Sequence, residues 1–195
     1  KVLGRAEDGS LIAETEESSD MAIAPTQWKI ASHNATEYGT GLIQSLIGRN
    51  FSYPKSLYAV EDTLRFFIAS NPNALIVDFF SGSGTTAHAV MRLNHQDGGQ
   101  RKFIMVQLPE KIDEKSEAYK AGYKNICEIG KERIRRAGQK IKEENPLTTQ
   151  DLDIGFRVLK CDSSNMEDVY FTPKEYMDKQ QSLFVDNIKK DRSDE

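Results

Sequence analysis

A carboxylate, two glycines and two hydroxyls stand in one short run, Asp78-Phe79-Phe80-Ser81-Gly82-Ser83-Gly84-Thr85-Thr86. These residue types bind a small ligand and hold it still. Gly82 and Gly84 permit a tight turn and let a ligand approach the backbone. Thr85 and Thr86 sit where a helix should begin, so the amides there face whatever occupies the turn. The turn matches the loose pattern Gly82-x-Gly84-x-x-Ala87, a weak signal alone. A phosphate-cradling loop would be longer and end in Gly-Lys, and no lysine stands here. Asp78 would repel a pyrophosphate and welcome a cationic group, and Phe80 offers an apolar wall. By Coulomb sign, a ligand with an ammonium and a sulfonium suits this turn better than one with two phosphates.

The elements that must carry the turn are legible around it. Ala74-Leu75-Ile76-Val77 is a continuous apolar run of the kind found in parallel strands buried on both faces, and Ala87 to Leu93 is helix-like. This places the turn at the carboxyl end of a strand, where nucleotide-type ligands bind. Tyr53-Pro54-Lys55-Ser56 opens a helix predicted to run to about Ala69, with Leu57, Val60, Leu64, Phe67 and Ile68 on its apolar side and Asn71-Pro72 as its stop. Glu37 to Leu46 also has helical spacing. His95 to Gln100 reads as a surface loop, and Phe103 to Leu108 as a second strand. Lys120 to about Glu144 reads as one long charged helix with Ile126, Ile129, Ile134, Ala137 and Ile141 along one side, ended by Asn145-Pro146. Gly155 to Lys160 is expected to be a third strand, and Asp168 to Lys190 a helix interrupted at Pro173. The alternation predicts an α/β fold with a doubly wound, mostly parallel sheet and right-handed crossovers.

Length and composition bound the rest. The 195 residues suffice for one domain with a core. A net charge of −4 does not advertise DNA binding, and the basic cluster Lys131 to Lys142 alternates with acids, as a solvated helix face does. Cys127 and Cys161 stand singly, as two buried thiols of a reducing, cytoplasmic compartment would. No apolar run approaches membrane-spanning length. Lys1 to Thr26 reads as an irregular tail that Trp28 could anchor. His33, His88 and His95 read as ordinary polar or packing residues. The chain begins at Lys1 and not at a methionine, so an excised piece of a longer protein is expected.

The ordered set of motifs resembles a family. Asp78 to Thr86 looks like the S-adenosylmethionine-binding motif of amino-group DNA methyltransferases, and Phe51-Ser52-Tyr53-Pro54-Lys55-Ser56 resembles the motif that precedes it in the circularly permuted group. Arg101 to Glu110, Gly130 to Ala137, Gly155 to Lys160 and Asp162 to Asn165 are similar to the modification subunit of type III restriction-modification systems. The resemblance covers roughly residues 45–192 and implies a Rossmann-like methyltransferase fold, incomplete here. It implies S-adenosyl-L-methionine as cofactor, DNA as substrate, a nuclease/translocase restriction subunit as partner and a homodimer in the intact protein. On that basis Asp78, Phe79, Phe80, Ser81, Gly82, Ser83, Gly84 and Thr85 shape the methionine end. Lys55 and Ser56 hold its carboxylate; Gln107 and Leu108 lie at the ribose, with Glu110 as a competitor for that role. The implied organisation is a tail and linker over residues 1–50, a cofactor-binding core over 51–160 and a helical extension over 161–195.

One part of the family's equipment is missing. Adenine's exocyclic amine is a poor nucleophile, and the family engages it with an Asp-Pro-Pro-Tyr type motif that also stacks on the flipped base. The six prolines here, at 25, 54, 72, 109, 146 and 173, include no adjacent pair. No catalytic residue is therefore assigned in this chain, and it is expected not to methylate DNA by itself. The competing readings are a nicotinamide- or flavin-dependent oxidoreductase that uses the same turn, and a non-catalytic interaction module.

Overall fold

A computed structural model describes residues 2–5, 11–13, 27–48, 50–165 and 189. They belong to two compact units, residues 1–155 and 156–195. The first unit opens on two short antiparallel strands, β1 (Val2–Arg5) and β2 (Leu11–Ala13), with Gly4 opposite Ile12 and Arg5 opposite Leu11. At residues 2–5 and 11–13 this pairing replaces the expected irregular tail, whose remainder lies outside the described residues; strands of 4 and 3 residues are too short to show a two-residue period. Turns of π type over Thr36–Gly41 then lead into α1 (Leu42–Ile47), which buries Ile43, Leu46 and Ile47.

Ser56 caps α2 (Leu57–Ile68), its hydroxyl accepting from Ala59 N–H at 3.4 Å. The expected apolar stripe holds at Leu57 but not at Phe67, which is 74% exposed. The buried side of α2 instead carries Glu61, fully enclosed and paired with Arg65 (3.2 Å) and Arg92 (2.9 Å). Across the chain, Arg101 Nη2 donates to the carbonyls of Ile68 and Ala69 at 3.2 and 3.3 Å, supplying the positive charge that a helix C-terminus favours.

The centre is a βαβ unit: β3 (Leu75–Asp78), α3 (Thr85–Asp97) and β4 (Lys102–Met105). The strands run parallel, with Leu75 beside Lys102, Ile76 beside Phe103, Val77 beside Ile104 and Asp78 beside Met105. A parallel pair needs a crossover, and α3 supplies it. α3 continues through His95 to Asp97, past the loop expected from His95, because its left-handed stop is Gly98 (φ 70°). The helix is the middle of the core. Ala87, Ala89, Val90, Met91 and Leu93 are almost fully enclosed, with α2 on one flank and α5 (Ile126–Glu144) on another. His88 is buried there too.

Two further expectations are corrected here. The long helix from Lys120 is two helices, α4 (Glu117–Lys120) and α5, separated by a turn in which Gly122 takes φ 102° and Asn125 caps α5 through Glu128 N–H. The strands are not buried on both faces: Leu75 (59%), Val77 (45%), Ile104 (47%) and Val106 (42%) are exposed together. A single crossover helix covers only one side of a two-stranded parallel pair, and among the described residues the parallel sheet has no third strand.

In the second unit, residues 156–160 form no strand, with Val158 and Leu159 exposed. The helix expected over Asp168 to Lys190 lies outside the described residues, except that Lys189 N–H donates to Asn165 O. Cys127 is half-buried and Cys161 exposed, so the expected pair of buried thiols is not formed. Among the described residues no helix is long and apolar enough to cross a membrane.

Candidate functional site

The turn between β3 and α3 is held by the amides of Ser81, Gly82 and Gly84. Ser81 N–H donates to Val106 O, Gly82 N–H to Gln107 Oε1 at 2.8 Å, and Gly84 N–H to Ser81 O at 2.7 Å. Gly82 (φ 51°) and Gly84 (φ 76°) both lie in the left-handed region, where a side chain is strained. The first bond inside α3 runs from His88 N–H to Gly84 O, so the amides of Thr85, Thr86 and Ala87 precede the intrahelical ladder and present the helix's positive end.

Asp78 ends β3 with both oxygens engaged. Oδ1 accepts from Phe80 N–H at 3.2 Å, and Oδ2 from the Thr86 hydroxyl at 2.6 Å. These bonds fix the carboxylate beside the turn. Phe79 and Phe80 project outward, 67% and 83% exposed, as two apolar surfaces at the same strand end.

Helix α5 closes the turn from the other side. A Cβ on Gly130 would lie 3.2 Å from Gly82 O, and one on Gly84 would lie 3.2 Å from Ile134 Cγ1, so helix and turn approach as closely as glycines permit. Arg133 lies one helical step away. It is fully enclosed, and its Nη1 donates to Ser83 Oγ at 2.8 Å and Thr85 Oγ1 at 2.6 Å. Burial lowers its pKa to about 10, which leaves it charged at neutral pH. The reading of Lys131 to Lys142 as a solvated face therefore fails at Arg133, though Arg135 and Lys140 do face solvent, beside Glu132 and Glu144. Periodicity carried the signal: Arg133 stands four residues after Ile129 and four before Ala137, in the buried stripe.

The remaining candidates divide. Phe51 Cζ would lie 3.5 Å from a Cβ on Gly82, so the segment that leads into α2 borders the turn. Lys55 is exposed. The Ser56 hydroxyl is buried and donates to Ser32 O at 2.8 Å while capping α2, so its polar capacity is spent on local structure. Gln107 is brought to the turn by β4; its Oε1 takes Gly82 N–H and its Nε2 donates to Leu108 O at 3.3 Å. Leu108 is 63% exposed at the same edge. Glu110 is exposed, and its backbone bonds to Leu108 and Ile126 join β4 to the start of α5. His33 is bridged to Asp62 of α2 at 2.8 Å.

The family model for DNA methylases of the N6/N4 group matches residues 13–150, a span that contains the turn, its carboxylate and α5. The chain belongs to the N6/N4 DNA methylase family. It is 44% identical over 116 residues to the StyLTI Mod subunit, a type III restriction-modification enzyme of Salmonella typhimurium strain LT2. That alignment covers 59% of this chain and 17% of the relative. The EcoPI Mod subunit of Escherichia phage P1 is 38% identical over 126 residues, covering 64% of this chain and 19% of the relative. The type II methyltransferase M.KpnI of Klebsiella pneumoniae is 40% identical over 105 residues, covering 53% and 24%. The chain thus spans about a fifth of the length of these curated relatives. As a DNA methylase family member it carries the glycine turn between a parallel strand and its crossover helix, in agreement with an α/β fold of Rossmann-like type.

Proposed function

We propose that this chain is the S-adenosyl-L-methionine-binding part of a site-specific adenine-N6 DNA methyltransferase, the modification subunit of a type III restriction-modification system. The observation that carries the reading is the Asp78–glycine-turn arrangement at the end of β3, in a DNA methylase family member 44% identical to a type III Mod subunit over the matched region. The turn fits such a cofactor on two counts. It offers a fixed carboxylate on one side and the positive end of α3 on the other, the two signs that an amino-acid tail needs. Its positive-φ glycines keep side chains off the ground that a ligand would occupy.

In this reading Asp78 accepts the ammonium of the methionine moiety, while Ser81, Gly82, Ser83, Gly84 and Thr85 line its path. Lys55 and the start of α2 approach the carboxylate. Phe79, Phe80 and Leu108 supply apolar surface, and Gln107 stands nearest the ribose with Glu110 beyond it. The cofactor, when bound, would supply an electrophilic methyl group whose carbon takes the incoming amine while its bond to the sulfonium sulfur breaks and the thioether leaves. This chain's residues bind and orient; they hold no Asp-Pro-Pro-Tyr to receive the adenine amine. DNA, a restriction subunit and a second modification subunit are the partners of the whole protein, with residues 51–160 as its cofactor core. Family membership gives the nicotinamide or flavin alternative no support.

Calorimetric titration with S-adenosylhomocysteine tests this. Saturable binding is expected, lost in Asp78→Ala and Gly84→Val, and the chain alone is expected to transfer no labelled methyl group to DNA. Preference for NAD over S-adenosylhomocysteine would overturn the assignment.

A further inference from the structure

Arg133 has no carboxylate partner among the described residues, although it is fully enclosed. Its Nε and Nη2 are buried without a hydrogen-bond acceptor. Burying a cation without a counter-charge is costly, so a chain that keeps one needs a compensating anion or bears the loss. The charge also lies under the amino end of α3, which is itself positive. Its contacts with the turn are the hydroxyls of Ser83 and Thr85, which are 3% and 6% exposed.

Those two contacts have a fixed direction. A guanidinium only donates, so each hydroxyl must accept from Nη1 and can give its own proton only elsewhere. Neither hydroxyl has another partner among the described residues. Arg133 thereby turns Ser83 and Thr85 into hydrogen-bond donors, one on each side of left-handed Gly84. On the opposite corner the Thr86 hydroxyl points its proton at Asp78, so that corner accepts cations.

Resting on the function proposed above, we infer that Arg133 is a positioning residue for an anionic subsite at the glycine turn. Acting through the Ser83 and Thr85 hydroxyls, it recognises the carboxylate of an amino-acid-bearing ligand. The ligand's carboxylate supplies a counter-charge that the described residues do not place there, and Arg133 itself stays beneath the turn without touching the ligand. Lys55, which is exposed, then contributes long-range attraction and not the anchoring contact.

The test compares two probes on the whole chain by calorimetry. S-adenosylhomocysteine carries the amino-acid tail; 5′-methylthioadenosine has the nucleoside and thioether but no carboxylate. Arg133→Met is expected to weaken S-adenosylhomocysteine binding at least about tenfold and to leave 5′-methylthioadenosine within about twofold. Ser83→Ala and Thr85→Val should each reproduce the selective loss in smaller measure, and they keep the test open if Arg133→Met fails to fold by circular dichroism. An equal loss for both probes would show a merely structural role and overturn the inference, as would no loss for either. If the unaltered chain binds neither probe, the cofactor assignment itself fails and this inference falls with it.

Discussion

Thr86 reaches back across the glycine turn and donates its hydroxyl to Asp78 Oδ2 at 2.6 Å. With Phe80 N–H on Oδ1, the carboxylate is oriented before any ligand arrives. Thr86→Val removes one of these two bonds and is expected to cost about 1 kcal/mol of stability, by urea denaturation. Its effect on S-adenosylhomocysteine affinity should be smaller than that of Asp78→Ala, because the second bond still holds the carboxylate. Equal losses of affinity would show that the Thr86 contact alone orients Asp78.

Gly84 and Gly98 separate backbone strain from packing. Both are left-handed, but a Cβ on Gly84 meets Ile134 Cγ1 at 3.2 Å, whereas one on Gly98 meets nothing within 4 Å. Gly98→Ala should cost roughly 1–2 kcal/mol from the dihedral alone. Gly84→Ala adds overpacking against α5, with a further cost on the order of 1 kcal/mol. Matched urea midpoints for the two variants would show that α5 yields at this contact.

Glu61 is fully enclosed and holds Arg65 and Arg92. Glu61→Ala strands two guanidinium groups at the α2–α3 junction and should destabilise the chain by roughly 3 kcal/mol. Replacing Glu117, whose pair with Lys120 lies in solvent, should leave the melting temperature nearly unchanged. Comparable melting-temperature losses in the two variants would contradict the burial argument.

His88 gives the chain an acid-side weakness. Burial first, then repulsion from Arg133, Arg92 and Lys140, lowers its pKa well below 6.5. The unfolded chain therefore binds a proton that the folded chain refuses, so stability rises with pH across that interval. The His88 contribution is fully present above the unfolded value of 6.5 and is lost as the pH falls toward the depressed folded value. Urea midpoints measured from about pH 8 to about pH 5 should drop on acidification, and less steeply in His88→Gln. Superimposable pH profiles would remove His88 from the account.

What the residue order by itself determined is everything set within a few positions along the chain. The strand–turn–helix around Gly82 and Gly84, the helix led by Ser56 and the stop at Asn145 follow from steric freedom, capping hydroxyls and proline, each acting on its neighbours. The tertiary structure decided which of those residues face one another. Arg133 reads as one more charge in a basic helix until α5 lies against the turn and encloses it. Gln107 reads only as a candidate ligand contact, and the fold adds that β4 sets its amide oxygen on Gly82 N–H. Residues 156–160 have a strand's composition but form no strand, and Leu75 and Val77 have a core strand's composition but an uncovered face. Backbone preference is local, whereas burial and pairing depend on segments far apart in the chain, and only folding brings those together.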